Sequence, residues 1–414
     1  MSEYKKNSES AAKGRFQGSD RVSFLQTLRY NRPLINGILI VLLLAVLAAV
    51  LLIAGRFDRN AGQVDVQSGS IDGTTSTIRI EIPFFDKEQY LVGRGVIAYM
   101  ESDLSEDVGM VLGEYRTSQP MDAGYPVILN FDITGMPAGY TVSALRVEVS
   151  EDTAFTAPRV IPLNVEDRST SIYHLKTGTR YYFRIILTVS DGSEVFAQGT
   201  FQTADTPRIL SIDGISNVRD LGGWNTIYGK KIRQGMIYRG SEMDGQTEES
   251  YRITESGKDV MLNVLGIKTE IDLRWNVPTE ALGETVTKKT YAISMYNKLF
   301  EAESSERLRG LISELANPDI YPVYIHCSYG WDRTGTVVTV LGLLLGMEEE
   351  DIIREQELSA LCHGGSNVEE LEEFLSAIEQ FPGNNLTEKV ENYLLSLGVT
   401  REEIQSIRQI LLTE

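Results

Sequence analysis

The sequence predicts an α/β protein with two additions, an N-terminal transmembrane helix and an all-β sandwich domain that precedes the α/β part. Three observations lead to this fold class. An unbroken apolar run occupies residues 38–54, short alternating strand patterns separated by Gly, Pro and Asp turns fill residues 119–206, and strand and helix patterns alternate from residue 207 onward. A chain of 414 residues is also longer than one ordinary domain.

The apolar run reads ILIVLLLAVLAAVLLIA and has the length of a bilayer-spanning helix. The alternatives are a buried core helix, which the missing polar face disfavours, and a cleaved signal peptide, which the long polar lead disfavours. Basic residues are concentrated before the run, at Lys5, Lys6, Lys13, Arg15, Arg21, Arg29 and Arg32, whereas Arg56 and Arg59 follow it.

This charge distribution predicts the orientation of the helix, because the more basic flank stays in the cytoplasm. We predict a cytoplasmic basic tail at residues 1–33, the membrane helix at 34–55 and a Ser, Gly and Thr-rich linker at 56–77. The protein would then be a single-pass protein of the cell membrane, with the remaining domains outside the cell.

The middle of the chain reads as β structure. The segments TIRIEI at 77–82 and YLVGRGVIAYM at 90–100 look like strands, but the pattern leaves the domain of residues 78–118 uncertain. Within residues 119–206, LKTGTRYYFRI at 175–185 resembles the Leu-x-Pro-x-Thr-x-Tyr corner of fibronectin type III domains, with Thr177 where proline is usual. The resemblance implies that the Tyr181 hydroxyl bonds nearby backbone while its ring packs in a sandwich. Another kind of β-sandwich is the alternative.

The α/β part at residues 207–414 contains two candidate buried strands, GIKTEIDLR at 266–274 and YPVYIHC at 321–327. TVVTVLGLLL at 336–345 is apolar nearly all round and predicts a central helix that ends at Gly346. Two further helices open with capping-box patterns, Ser366-x-x-Glu369 and Thr400-x-x-Glu403.

The stretch YIHCSYGWDRTG at 324–335 places a cysteine at the end of a strand, an arginine six residues later and a helix behind both. The backbone N–H groups of such a loop can turn inward around an anion, and the helix N-terminus adds a positive dipole end. The same features stabilise the thiolate of Cys327, and Arg333 offers a planar, two-pronged donor to phosphoryl oxygens. Gly330 allows backbone to approach a ligand, and Gly335 allows the helix to pack close to the loop. This pattern predicts a phosphate site with a nucleophile and disfavours a purely structural cysteine.

The loop resembles the Cys-x5-Arg-Thr signature of protein tyrosine phosphatases, in the branch that reads His-Cys-x-x-Gly-x-Asp-Arg-Thr-Gly. ISNVRDLGGW at 215–224 resembles the Asn-x-Arg-Asp-x-Gly-Gly motif of bacterial tyrosine and lipid phosphatases, and IYRGSEM and EIDLR follow where that family has related segments. The resemblance covers residues 209–414. It implies a cysteine-phosphatase fold, a central sheet flanked by helices, and a tyrosine or dual-specificity phosphatase that hydrolyses phosphoric monoesters without a metal or cofactor.

The resemblance also implies roles for individual residues. Cys327 would attack phosphorus and form a phosphocysteine, while Arg333 and the loop amides stabilise the charge on the equatorial oxygens. Thr334 would donate a hydrogen bond to the thiolate and help it leave in the second step. The substrate-binding residues would be Ser328, Tyr329, Gly330, Trp331, Thr334 and Gly335. His326 would fix the geometry of the loop, and Arg219 and Asp220 would either contact substrate or, the interpretation we favour, brace the loop.

Two residues are candidates for the general acid. No Trp-Pro-Asp tripeptide, which holds the acid of the best-known tyrosine phosphatases, occurs in the chain. Asp332, inside the loop, is the family-like candidate. Asp272, in the IDLR segment, is the rival and could equally be a structural residue at a strand end.

The sequence is compatible with two substrates, a phosphoinositide and phosphotyrosine. Many members of this branch have lysine where Trp331 stands, and that lysine favours phosphoinositides. Tryptophan here resembles the loop of the myotubularins, which are lipid phosphatases, yet Tyr329 and Trp331 form an aromatic rim that suits a phosphotyrosine ring. The later family segment Asp-Tyr-Glu-Leu-Ser reads EQELS at 355–359, which puts any contact of its first two residues in doubt. The expected partner is therefore a phosphorylated protein or a phosphoinositide, and an inactive phosphate-binding or adhesive surface module is the alternative class.

Composition excludes several other classes. A formal net charge of -19 argues against a nucleic-acid-binding protein, which needs a basic surface. Two cysteines, Cys327 and Cys362, cannot form a disulfide-stapled scaffold, and the second is expected to be a buried helix residue. The three histidines do not combine with cysteine at zinc-binding spacing, so we expect no metal site.

Overall fold

The computed structural model describes residues 78–83, 85–103, 123–275, 279–363 and 367–414, without the side chains of Cys362 and His363. The predicted tail, membrane helix and linker lie outside these residues, as do residues 104–118 of the uncertain segment 78–118 and the predicted burial of Cys362. None of the described helices combines the length and the apolar character that a membrane crossing requires.

The first part of the described chain consists of strands joined by turns, with one short helix. Its elements are β1 (Arg79–Glu81), β2 (Glu88–Gln89), α1 (Arg94–Glu101), β3 (Val127–Asn130), β4 (Asp132–Thr134), β5 (Val142–Ser150), β6 (Arg159–Leu163), β7 (Ser169–Ile172), β8 (Arg180–Val189) and β9 (Glu194–Thr203). One sheet has the strand order β2-β9-β8-β5-β6, while β3 pairs with β7 and β1 with β4. Strands β8 and β9 alternate between buried and less buried residues, so each keeps one face in a core.

The core between these strands contains the predicted corner tyrosine. The Tyr181 hydroxyl accepts a hydrogen bond from the backbone N–H of Lys176 at 2.8 Å. Its ring is buried and stacks on Phe201 with ring centroids 5.5 Å apart. The contacts expected of Tyr181 are therefore present, while membership of the fibronectin type III family stays a prediction.

The second part alternates strands and helices. Its elements are β10 (Arg208–Ile209), β11 (Arg219–Asp220), β12 (Ile237–Gly240), α2 (Glu255–Asp259, continued by a π-helical turn at Val260–Val264), β13 (Thr269–Asp272), β14 (Thr287–Thr290), a 3₁₀ helix (Tyr296–Phe300), α3 (Ala302–Leu315), a second 3₁₀ helix (Pro318–Ile320), β15 (Val323–His326), α4 (Asp332–Leu345), α5 (Glu349–Glu357), α6 (Ala360–His363), α7 (Val368–Ile378), α8 (Leu386–Ser396) and α9 (Arg401–Leu411). Mixed α/β structure with a central sheet is thereby confirmed.

The sheet of this part has the order β10-β11-β12-β15-β13-β14, and β15 lies between β12 and β13 with all three parallel. Every residue of α4 from Thr334 to Leu345 is buried, and the helix ends at Gly346 in the left-handed conformation, as predicted. The helix begins earlier than its apolar pattern suggested, at Asp332. The polar first turn of α4 therefore lies directly behind the loop that follows β15.

One predicted strand is wrong and one predicted cap is confirmed. Residues 90–100 were expected to be a strand, but α1 occupies Arg94–Glu101. Its buried residues include Val96 and Tyr99, which lie one helical turn apart. Burial at this spacing favours a helix and outweighs the strand preference of the β-branched residues. The capping box of Thr400 and Glu403 is present, whereas that of Ser366 lies outside the described residues.

Candidate active site

Cys327 follows the last residue of β15, in the middle of the parallel strands. Residues 328–331 turn the chain, and α4 begins at Asp332. We refer to residues 327–333 as the Cys327 loop. It passes from a buried strand into a helix N-terminus, where unpaired N–H groups and the helix dipole favour an anion.

The carbonyl groups of the Cys327 loop are held from one side. Asn217 Nδ2 donates to the carbonyl oxygens of Tyr329 and Gly330 at 3.1 and 3.2 Å. Arg239 Nη2 donates to the Gly330 carbonyl at 2.6 Å. Because C=O and N–H point in opposite directions across a trans peptide, these bonds turn the N–H groups of Gly330 and Trp331 toward the other side. The loop thereby presents backbone donors of the kind that bind phosphate.

A buried ionic network fixes Asn217 and Arg239, the two residues that bind the loop carbonyls. Arg219 Nε and Arg239 Nη1 donate to the two carboxylate oxygens of Glu355 at 3.1 and 2.6 Å. Arg219 also donates to Asn217 Oδ1 and, at 3.1 Å, to Ser359 Oγ. All five residues are buried, and charges at such depth persist only when they are paired and hydrogen-bonded. The geometry thus places Arg219 behind the loop, in the bracing position.

Asp220 lies in a separate buried contact. Its carboxylate accepts from Arg208 Nη1 at 2.6 Å and from the backbone N–H groups of Gly222 and Gly235 at 2.8 and 2.7 Å. The side chain of Asp220 therefore fixes the turns around β11 and β12, and its contacts are with neighbouring protein groups.

Two glycines allow the loop to fit against its surroundings. Gly330 has a φ of +69°, and a Cβ there would lie 2.3 Å from the backbone of Gly240. A Cβ on Gly335 would lie 2.0 Å from the Gln356 side chain, which packs α5 against the first turn of α4. The first glycine is required for both conformation and space, and the second for space alone.

The nucleophile and clamp predicted from the sequence share one small site. Cys327 is 3% exposed and forms no disulfide. Arg333 Nη2 donates to Ser328 Oγ at 3.2 Å, and no carboxylate among the described residues lies within ion-pair distance of Arg333. The guanidinium therefore keeps donors that can serve a phosphoryl group. Thr334 Oγ1 is buried without a hydrogen-bond partner in the described part of the chain, which leaves its proton available.

His326 joins the base of the loop to the sheet. Its Nδ1 lies 3.1 Å from the carbonyl oxygen of Cys327, and its Nε2 lies 3.1 Å from Glu270 Oε1. The ring is fully buried and stacks on Tyr324 at 5.5 Å. With both nitrogens engaged, the ring is placed to fix the geometry of the loop, as the resemblance implied.

The two candidate acids have opposite environments. Asp332 is half-buried, and burial raises the pKa of its carboxyl above the usual value although Tyr296 and Arg333 act against the shift. Asp272 is fully buried; burial alone would raise its pKa, but His326 and Arg274 outweigh burial and hold the pKa well below the usual range. Asp332 is therefore the carboxyl that retains a proton more readily.

Asp272 belongs to an acidic cluster that has the composition of a metal site. Glu270, Asp272 and His326 place ligand atoms within 4.8 Å of one another. Lys288 Nζ, however, lies 3.1 Å from each of the two carboxylates, and Arg274 Nη2 lies 2.9 Å from Asp272. The charge that a cation would neutralise is already neutralised by these side chains, so the cluster is a buried ion network.

Aromatic side chains surround the surface of the loop. Tyr329 is 39% exposed, and its ring meets that of Tyr251 edge to face with centroids 6.0 Å apart. Trp331 is half-buried at the residue before α4. The predicted pair of Tyr329 and Trp331 is thus joined by Tyr251, which the sequence did not suggest.

Two further residues that contact Asp332 were missed by sequence reasoning. The Tyr296 hydroxyl donates to Asp332 Oδ1 at 3.4 Å, and Asn367 Nδ2 donates to the same oxygen. Tyr296 precedes the loop on another element, and Asn367 follows it at the start of α7, so no spacing pattern connects them with Asp332. Glu355, the first residue of the segment that departs from the family pattern, binds Arg219 and Arg239 behind the loop.

Comparisons with known proteins find similarity to phosphatases. Residues 210–288 and 276–413 match the model of a family described as the tyrosine phosphatase family. A Cupriavidus necator protein that carries the provisional name tyrosine-protein phosphatase is 24% identical over 166 residues, which are 35% of this chain and 60% of that relative. The chain thus spans less than two thirds of the relative's length.

Two solved structures of a yeast phosphatase also align with part of the chain. The core catalytic domain of the PP-IP phosphatase Siw14 from S. cerevisiae, in complex with citrate, has 18% identity and a TM-score of 0.26, covering 34% of this chain and 84% of that one. A second structure of the Siw14 catalytic core has 18% identity and a TM-score of 0.27, covering 38% and 88%.

Proposed function

We propose that this chain, whose residues 210–288 and 276–413 match the model of the tyrosine phosphatase family, is a cysteine-dependent phosphatase that hydrolyses phosphotyrosine. The observation that supports this most strongly is the Cys327 loop. Its carbonyl groups are bound on one side by Asn217 and Arg239, which leaves its N–H groups for an anion beside Cys327 and Arg333. A nucleophile, an anion-binding loop and a guanidinium in one loop suit phosphoryl transfer.

The reaction would proceed in two steps. Cys327 Sγ, as the thiolate, attacks phosphorus and the bond to the tyrosyl oxygen breaks, while that oxygen takes a proton from Asp332. Water then attacks the phosphocysteine, its proton passes to the Asp332 carboxylate, and the thiolate leaves with inorganic phosphate as product. Thr334 is available to donate a hydrogen bond to the departing sulfur. Arg333 and the loop amides stabilise the equatorial oxygens in both steps.

Asp332 suits the proton transfer better than Asp272. A general acid must hold its proton near the working pH, and burial raises the pKa of Asp332. Asp272 is held in its ionised form by two cations, Arg274 and Lys288. We therefore assign Asp332 as the acid and Asp272 as a structural residue of the sheet.

The surroundings of the loop favour an aromatic phosphomonoester over a phosphoinositide. Tyr329, Tyr251 and Trp331 offer ring faces and edges to a phosphotyrosine side chain. A phosphoinositide headgroup carries additional phosphates that would need further cations. Arg219, Arg239 and Arg274 are buried in ion pairs with carboxylates and are not available for that purpose.

The proposed setting is the outer face of the cell membrane. It rests on the sequence alone, through the apolar run at 38–54 and the basic excess before it. A catalytic domain on that side would act on phosphoproteins outside the cell that makes it.

The test is a substrate panel on the full chain in detergent. Phosphate release should be highest from phosphotyrosine peptides and low from short-chain phosphoinositides, and Cys327→Ser should abolish both. Trp331→Lys should raise the ratio of phosphoinositide to phosphopeptide turnover. Preference for phosphoinositides in the unmodified chain would refute the substrate assignment. Absence of turnover on every substrate, p-nitrophenyl phosphate included, would favour a binding module.

A further inference from the structure

A segment that precedes most of the β strands contributes side chains to two hydrophobic cores. We call residues 88–102 the strap. Its β2 pairs with β9 in the first part of the chain, and Leu91 is buried in that core. Val92, Val96 and Tyr99 are buried in the other core, together with Cys327 and the residues of α4. The strap is therefore packed into the α/β part although more than a hundred residues separate it from β11.

The end of the strap is bound by a single buried arginine of α5. Arg354 Nη1 donates to the Tyr99 carbonyl and Nη2 to the Ser102 carbonyl, each at 2.7 Å. The guanidinium also lies over the Tyr99 ring, 5.6 Å from its centroid. The last carbonyls of a helix lack partners within the helix and carry the negative end of its dipole, so a cation is favoured at this position.

The polar residues that follow Arg354 on α5 contact the groups that support the Cys327 loop. Arg354, Glu355, Gln356 and Glu357 are consecutive on α5 and all are at most 5% exposed. Glu355 binds the two arginines behind the loop, and Gln356 packs on Gly335 and donates to the Tyr296 hydroxyl at 3.1 Å. Four consecutive residues cover a full helical turn, so the C-terminal half of α5 is enclosed on every side. The strap supplies one of those sides.

We propose that the strap positions the Cys327 loop, with Arg354 as the positioning residue that transmits the strap's hold to Glu355. The inference rests on the proposed function of the loop. Arg354 touches neither loop nor substrate, but it precedes Glu355 on one rigid helix. A shift of α5 away from the strap would move the Glu355 carboxylate, hence Arg239, and hence the Gly330 carbonyl that Arg239 holds at 2.6 Å.

The experiment measures binding of tungstate, a tetrahedral dianion that reports on the loop without turnover. In the full chain, Arg354→Met should weaken tungstate binding and lower kcat/KM by similar factors of about 10 to 100, the range expected when a reacting group is misplaced by up to about 1 Å. Arg354→Lys, which can still donate to a carbonyl, should recover part of both.

The matched control is Arg408→Met. Arg408 also binds a helix-end carbonyl, that of Leu344 at 3.0 Å, and lies over an aromatic ring, that of Tyr228 at 5.6 Å. Its contact is at the end of α4 remote from the loop, so this variant should keep tungstate affinity. Binding is measured well below the unfolding temperature of each variant, so that lost stability alone does not lower it.

A second pair of variants covers the case in which Arg354→Met does not fold. Val96→Ala and Val399→Ala each truncate a buried valine of the same core, the first in the strap and the second after α8. Only Val96→Ala should weaken tungstate binding. Equal losses in both members of a pair, unchanged affinity in Arg354→Met and Val96→Ala, or no tungstate binding by the unmodified chain would each overturn the proposal. A chain that binds tungstate with the expected differences but hydrolyses nothing would refute the proposed function alone.

Discussion

Replacement of Gly330 by alanine tests the structural reasoning about the loop most severely. Gly330 has a φ of +69°, which costs an alanine about 1 kcal/mol. The added Cβ would also lie 2.3 Å from both the carbonyl carbon and oxygen of Gly240. Because these are backbone atoms, they cannot rotate away, and the loop must move by about 1 Å to restore an ordinary contact. A misplacement of that size costs roughly 100-fold in rate.

The chain provides a control with the same backbone strain and no clash. Gly229 has the same φ of +69°, and no heavy atom lies within 4 Å of the position its Cβ would take. Gly229→Ala should therefore lose a similar amount of stability and retain activity. Gly330→Ala should lose roughly 100-fold in kcat/KM and a comparable factor in tungstate affinity.

The assay is hydrolysis of p-nitrophenyl phosphate by the full chain, together with tungstate titration and a thermal unfolding curve for each variant. A Gly330→Ala enzyme within threefold of the unmodified chain would refute the argument that the Gly240 backbone limits the loop. An equal loss of activity in Gly229→Ala would show that general destabilisation is the cause.

Three further expectations address the chemistry and the setting. Cys327→Ser should abolish turnover and retain substrate affinity, because the loop amides and Arg333 remain. Arg333→Ala should weaken tungstate binding and lower kcat by about 100-fold or more. Titration measures the affinity and steady-state kinetics measure kcat. Since burial raises the pKa of Asp332, its proton-donor activity should be complete below that raised pKa and lost as pH rises through it. Asp332→Asn should therefore remove the alkaline limb of the kcat/KM profile for a phosphotyrosine peptide. It should slow the hydrolysis of p-nitrophenyl phosphate less, because nitrophenolate needs little protonation as it leaves. If Asp272→Asn showed this leaving-group dependence and Asp332→Asn did not, the acid would be Asp272. Protease added to intact cells should digest residues 207–414, and digestion only after lysis would reverse the predicted orientation.

The sequence was most informative where one short segment contains the whole arrangement. Cys327, Gly330 and Arg333 lie within one loop, so their spacing alone indicated an anion site after a buried strand. The apolar residues of α4 likewise predicted a central helix with its end at Gly346, and the structure has both.

The supporting residues could not be predicted because they are far apart in the chain. Arg239 and Glu355 are separated by 116 positions, and Asn217 and the Gly330 carbonyl by 113, so only the fold brings each pair together. Tyr296 and Asn367 reach Asp332 from two other elements for the same reason. Segments around Asn217 and Arg239 matched family patterns and the segment at Glu355 departed from one, but such patterns do not say which side chains meet.

The strap shows how local composition can mislead. GVIAYM combines β-branched and aromatic residues, which favour a strand when the segment is considered alone. In the structure, Val96 and Tyr99 are buried on one side of α1, and Arg354 binds the carbonyls at its end. Tertiary packing thus outweighs the β propensity, and the available signal was the spacing of these two residues at one helical turn.

The most direct test of the central claim is to trap the covalent intermediate. The full chain is mixed with a phosphotyrosine peptide, quenched in acid within the first turnover and digested, and the peptide that contains Cys327 is analysed by mass spectrometry. We expect one phosphoryl group on Cys327, and none on this peptide from Cys327→Ser. Turnover of the substrate with no phosphoryl group on Cys327 at any quench time, or with full activity in Cys327→Ser, would contradict the account.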